Sequence, residues 1–151
     1  MTAPLAFGAP GNALVILSHD WYGRLPWISD YAQSLADRGY RVLAVDFFDG
    51  RTTTDDAVAD EQTQSVSLDQ AAEILVNAIE QGRAEGSERV ALVGFSFGAW
   101  HSLAVAQEGV ADAVVSYYAT LGSEQHTQLS VPVLLHVAEH DEFYDTPGSA
   151  P

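Results

Sequence analysis

The sequence has no cysteine and no lysine, and its 6 basic residues, all arginine, face 21 acidic ones. Without cysteine there is no disulfide framework, no thiolate metal site and no cysteine nucleophile, a composition that suits a reducing cytoplasm. Without lysine a Walker-type phosphate loop is excluded, and no G-x-G-x-x-G run stands in for it. A formal charge of −15 repels phosphate backbones and anionic headgroups. Nucleic-acid and membrane-surface partners are therefore not expected, and solubility is the simplest reading of the acidity. No apolar run approaches the roughly 20 residues of a bilayer span. The opening residues 1–12 lack the basic and long apolar regions of a signal peptide, so the expected location is cytoplasmic.

What is present is a chain of 151 residues, 47% of them hydrophobic, enough for one domain with a buried core. Five short runs rich in Val and Leu stand out: Ala13–Leu17, Val42–Val45, Val90–Val93, Ala113–Tyr118 and Val133–Val137. Each is apolar on both faces and too short for a helix, the pattern of buried parallel strands. Between them lie segments with helical spacing. Ile28, Tyr31, Ala32 and Leu35 form one stripe, with Pro26 suited to a first turn and Gly39 to a C-terminal cap. Leu68, Ala71, Ala72, Leu75, Ala78 and Ile79 form another, opened by Ser67-x-x-Gln70, a capping box. A third helix is expected from about Gly98 to Gln107, and the polar stretch Asp49–Gln64 reads as a long loop. Strand, helix, strand in repetition predicts an α/β fold with a doubly wound, mostly parallel sheet. Nothing suggests a second domain.

Ligands of such sheets bind at the carboxyl ends of the strands. Gly94-Phe95-Ser96-Phe97-Gly98 matches G-x-S-x-G. The pattern alone is common, but here it directly follows a buried strand and opens a helix, as a nucleophile elbow requires. Its glycines permit a tight, strained turn that lifts the serine hydroxyl above the sheet. The helix N-terminus behind it offers free N–H groups to a developing oxyanion. A serine hydroxyl is a poor nucleophile until a base takes its proton, and that base needs an orienting carboxylate. Asp141, after the fifth strand, stands where the acid belongs in chain order, though by position alone it reads equally as a solvated turn aspartate.

Several segments resemble the dienelactone hydrolase family of the α/β-hydrolase superfamily: the elbow Gly94–Ala99, the pair Tyr117-Tyr118, the run Val131–Phe143, and Asp46-Phe47-Phe48 with Gly50-Arg51. The resemblance implies that Asp141 is the triad acid and that the Trp21 and Phe97 N–H groups form the oxyanion hole. It places Asp20 where an acidic residue meets the resting nucleophile, and Arg51 near an arginine that steadies a substrate carboxylate. Either residue reads equally as a surface charge or a salt-bridge partner. The namesake enzymes use a cysteine nucleophile, so the serine here points to small esters or lactones generally, with no metal or organic cofactor.

In the family the chain continues past the acid turn through a helix, a strand, the histidine loop and a closing helix. The resemblance therefore implies a single domain over 1–151, truncated before its catalytic histidine and lacking the last strand and closing helix, with Val133–Val137 as an apolar edge. Of the histidines present, His140 is expected to point away from a bridge to Ser96, and His101 to lie beneath the active edge. His19 sits on the wrong side, and His136 is structural; His126 is the one stand-in. The leading expectation is a serine-nucleophile ester or lactone hydrolase, impaired in this chain. The alternative, from another class, is a non-catalytic hydrolase-like binding or scaffold protein.

Overall fold

A computed structural model describes residues 2–126 and 128–141. The expected strands form, with ends displaced by a residue or two: β2 (Leu14–Ser18), β3 (Arg41–Ala44), β4 (Val90–Phe95), β5 (Ala113–Tyr117) and β6 (Val133–His136). A further strand, β1 (Leu5–Phe7), pairs antiparallel with β3. The sheet runs β1-β3-β2-β4-β5-β6, and every pair except β1–β3 is parallel.

The central strands alternate between two cores, because successive side chains of a strand face opposite ways. Leu14, Ile16 and Leu92 pack on one face with Leu75 and Ile79 of α3 (Leu68–Ala84) and Leu103 of α4 (Phe97–Ala106). Val15, Leu17, Val42 and Val93 pack on the other with Ile28 and Ala32 of α1 (Pro26–Ala36). This two-sided burial is why the strands read as apolar throughout. At the end of the sheet β6 is only half covered, and Leu134 is 55% exposed.

Two helices depart from expectation. Residues Asp56–Gln64 form α2 within the stretch expected to be a loop, capped by Asp55, whose carboxylate accepts the Val58 N–H at 3.1 Å. The helix buries only Ala59 and Gln62, so it carries no apolar stripe for a sequence to show. Ser123–His126 form the short α5.

The capping box of α3 is present in both directions. Ser67 Oγ accepts the Gln70 N–H at 3.2 Å, and Gln70 Oε1 accepts the Ser67 N–H at 2.9 Å. Ser67→Ala is expected to cost about 1 kcal/mol in urea unfolding, with no change of fold by circular dichroism.

Candidate active site

β4 ends at Phe95 and α4 begins at Phe97, leaving Ser96 alone in the turn at φ 47°, ψ −111°. A side chain at positive φ is strained by about 1–3 kcal/mol, so the surroundings must hold it there. Two backbone hydrogen bonds do so: the Ser96 N–H donates to Tyr117 O at 2.7 Å, and the Gly98 N–H to His19 O at 3.1 Å. The flanking glycines are needed for space. A Cβ on Gly94 would lie 2.5 Å from the Ala99 backbone, and one on Gly98 2.6 Å from Ser18 Cβ. Ser96 makes no side-chain cap to α4, and among the described residues no hydrogen bond engages its hydroxyl. The Phe97 N–H, at the first helical position, has no acceptor within α4.

Ser96 lies where two hollows meet, sharing Trp21, Tyr22 and Tyr118 as common walls. The first, about 580 Å³, adds Asp20, Trp27, His140 and Asp141. The second, about 630 Å³, lies toward α2, α3 and α4 and adds Val66, Leu68, Phe97, Trp100 and His101. Thus Ser96, Asp141, Trp21 and Asp20 converge on one cavity, and Phe97 lines the adjoining one. Asp20 Oδ1 accepts the Tyr22 N–H at 2.8 Å, and burial raises its carboxyl above the usual range against the pull of that bond and of His19.

Arg51 is not among them. Its Nε donates to Phe48 O at 3.0 Å and its terminal amine to Ser65 Oγ at 2.8 Å, and it lines a separate hollow of about 300 Å³. The guanidinium clasps the loop before α2 to the residue that ends that helix. The expected substrate-carboxylate contact therefore has no counterpart at Ser96.

The histidines sort differently from expectation. His19 is fully buried, with Nδ1 2.6 Å from Asp20 O, while Nε2 accepts the Phe47 N–H at 3.0 Å. Both ring nitrogens are thus occupied by backbone, which removes it as a base. His136 stacks on Tyr117 at 4.3 Å and 4°, in the strand where a structural role was expected. The His126 side chain lies outside the described part of the structure. His140, expected to point away, lines the first hollow with Ser96 and Asp141, although no hydrogen bond links it to Ser96. His101, expected beneath the edge, lines the second hollow. Helical side chains lean toward the N-terminus, so position 101 covers the surface one turn back, beside Phe97. Its ring lies 4.5 Å from Phe97 and 5.1 Å from Trp100, and burial pulls its pKa down to about 4. The imidazole is therefore neutral at pH 7.

Tyr118, Trp100, Val66 and Leu68 are lining residues that sequence reasoning missed. Tyr118 sits at φ 62° beside the elbow, and only its place in the Tyr117-Tyr118 pair signalled it. Among the described residues no group of three or more His, Cys, Asp or Glu is placed to hold a metal ion. No described helix is long and apolar enough to cross a membrane.

Solved structures share this fold. The protein m3DLH superposes with a TM-score of 0.74 at 24% identity over 89% of this chain and 60% of its own. A dienelactone hydrolase-like promiscuous phosphotriesterase, P91, from metagenomic libraries gives 0.73 at 20% identity over 94% of this chain and 60% of its own. A cold-adapted esterase from an Arctic intertidal metagenomic library gives 0.68 at 20% identity, over 85% and 61%. The chain thus spans about 60% of the length of these structures. No curated protein matches it. The profile of the dienelactone hydrolase family matches residues 5–149. With elbow, sheet order and profile in agreement, the chain belongs to the dienelactone hydrolase family.

Proposed function

We propose that the chain carries the nucleophile side of a hydrolase acting on small carboxylic esters or lactones through an acyl-serine intermediate. The observation that carries this reading is Ser96 itself: a strained, uncapped serine opening on a cavity shared with Asp141 and Trp21. A protein that only binds has no use for a serine held at positive φ, which argues against the scaffold reading.

In the proposed reaction Ser96 Oγ attacks the carbonyl carbon while its proton passes to an imidazole oriented by Asp141. The N–H groups of Phe97 and Trp21 receive the developing oxyanion. The tetrahedral intermediate collapses, the bond to the alcohol oxygen breaks, and the alcohol leaves with the proton from the imidazole. Water, deprotonated by the same imidazole, then attacks the acyl-serine, releases the acid and restores the hydroxyl. His19 has both ring nitrogens engaged by backbone, His136 stacks on Tyr117, and His101, with a pKa pulled down to about 4 by burial, is a weak base, so the base is assigned to another imidazole.

The test is mass spectrometry after incubation with 4-nitrophenyl acetate. One acetyl group is expected on the peptide containing Ser96, and none on the corresponding peptide of Ser96→Ala. Acetylation confined to other residues would remove Ser96 as nucleophile.

A further inference from the structure

Resting on that reading, we infer that the hollow toward α2, α3 and α4 takes the uncharged, ring-bearing part of the substrate, and that His101 selects rings carrying a carbonyl or hydroxyl oxygen. The argument starts from the walls. Trp21, Phe97 and Trp100 present aromatic surface and Val66 and Leu68 aliphatic surface, in about 630 Å³, room for a substituted ring. A rim of this kind is apolar already at its mouth, where Leu68 is 62% exposed.

Tyr22, Thr63, Gln64 and Tyr118 also line this hollow, but His101 is the polar side chain of the lining that is buried. It is only 5% exposed and has ring contacts with Phe47, Phe97 and Trp100; no side-chain hydrogen bond engages its nitrogens, and since no buried side-chain nitrogen or oxygen among the described residues lacks a partner, they open to the hollow. A ring that faces a cavity without a hydrogen-bond partner leaves that role to the cavity's occupant. Because burial keeps the imidazole neutral, with a pKa of about 4, it offers one donor and one acceptor rather than a charge. A site built to hydrogen-bond a ligand oxygen discriminates against the analogue lacking it, since the buried group is then left unpaired.

Anionic substituents are disfavoured for a separate reason. No arginine lines either hollow, Asp20 and Asp141 flank the first, and the chain carries −15 overall. Arg51, the side chain that family resemblance offered for a carboxylate, is held away by Phe48 and Ser65. A carboxylate brought to Ser96 meets like charge, and no arginine among the described lining residues offsets it.

The test is isothermal titration with three probes of similar size: acetophenone, toluene and benzoate. Acetophenone is expected to bind about tenfold more tightly than toluene, and benzoate not measurably. His101→Phe is expected to erase the preference for acetophenone while leaving toluene affinity intact. His101→Gln, which keeps a donor and an acceptor, is expected to restore part of it, and circular dichroism of both variants establishes that they fold. An acetophenone-to-toluene ratio unchanged in His101→Phe, benzoate binding as tight as acetophenone, or no binding of any probe would each overturn the inference. A failed acetylation at Ser96 with intact acetophenone selectivity thus refutes the nucleophile alone, and the converse pattern refutes the pocket alone.

Discussion

Free imidazole is expected to raise hydrolysis of 4-nitrophenyl acetate by the chain, by a component that Ser96→Ala lacks. With no hydrogen bond on the Ser96 hydroxyl among the described residues and the Phe97 N–H at the next position, proton removal is the step that a dissolved base can assist. A positioned general base contributes about 10²–10⁴ in rate. A dissolved base recovers only part of that, because it must be brought to the site from solution. At about 0.3 M imidazole a rise of about tenfold in the Ser96-dependent rate is therefore the expected scale. The rise should follow the concentration of unprotonated imidazole, growing between pH 6 and 8. Imidazole also attacks activated esters directly, and the Ser96→Ala protein measures that background. Equal rates for parent and Ser96→Ala at every imidazole concentration would sink the nucleophile assignment. Turnover without imidazole that His140→Asn abolishes would instead give the base role to His140, which lines the same hollow.

The largest stability effect is expected at Asp46. Its side chain is 1% exposed, accepts the Phe48 N–H at 3.0 Å and the Gly50 N–H at 2.9 Å, and lies 3.4 Å from the Arg24 guanidinium. Burial disfavours the charge, but the neighbouring His19 ring, the Phe48 N–H and Arg24 outweigh it and hold the carboxyl below its usual range. His19 Nε2 is 3.7 Å away, with its lone pair already taken by the Phe47 N–H. Asp46→Ala strands two N–H groups and a largely buried cation. Removing one partner of a buried pair costs about 3–5 kcal/mol, and the lower end applies because Arg24 keeps Ala44 O at 3.0 Å. Asp46→Asn, which retains an acceptor oxygen, is expected to lose about half as much. Urea unfolding at pH 7 measures both. A carboxyl with a depressed folded pKa stabilises fully above its unfolded value and loses the effect as pH falls through the folded one. The gap between parent and Asp46→Ala should therefore hold from pH 7 to 5 and shrink only below the ordinary value of 3.8. A loss under about 1 kcal/mol at pH 7 would show that the turn holds without this carboxylate. The consequence reaches the site, because Asp46 fixes the turn bearing Phe47 and Phe48, whose rings pack on Phe97 at 5.6 and 5.4 Å.

The sheet was legible because its central strands are buried on both faces, and burial leaves a contiguous apolar run in one dimension. β1 left no such trace, since three residues with two exposed have no pattern to detect. α2 was hidden for the opposite reason: it meets the core through Ala59 and Gln62 alone, so its polar composition reads as loop. At the site, the elbow was legible because its requirements are local: a strand, small residues around a serine, and a helix. Arg51 and His101 were not. Where a guanidinium points depends on Ser65, 14 residues on across a helix that composition concealed. Whether a histidine faces a cavity depends on which way α4 leans over the sheet. His140 illustrates the same limit, since its approach to Ser96 is set by the pairing of β6 with β5.

The two hydrogen bonds that hold the elbow, from Ser96 to Tyr117 O and from Gly98 to His19 O, tie α4 to the ends of both flanking strands. An element stapled to its neighbours on each side has no cheap local opening of its own. Its amide protons should exchange with deuterated solvent only when the central sheet itself comes apart, more slowly than those of the half-covered strand β6 or the sparsely packed α2. The fold is thus expected to partition its own mobility: the α2 and β6 sides of the hollows open before the nucleophile turn and α4 do.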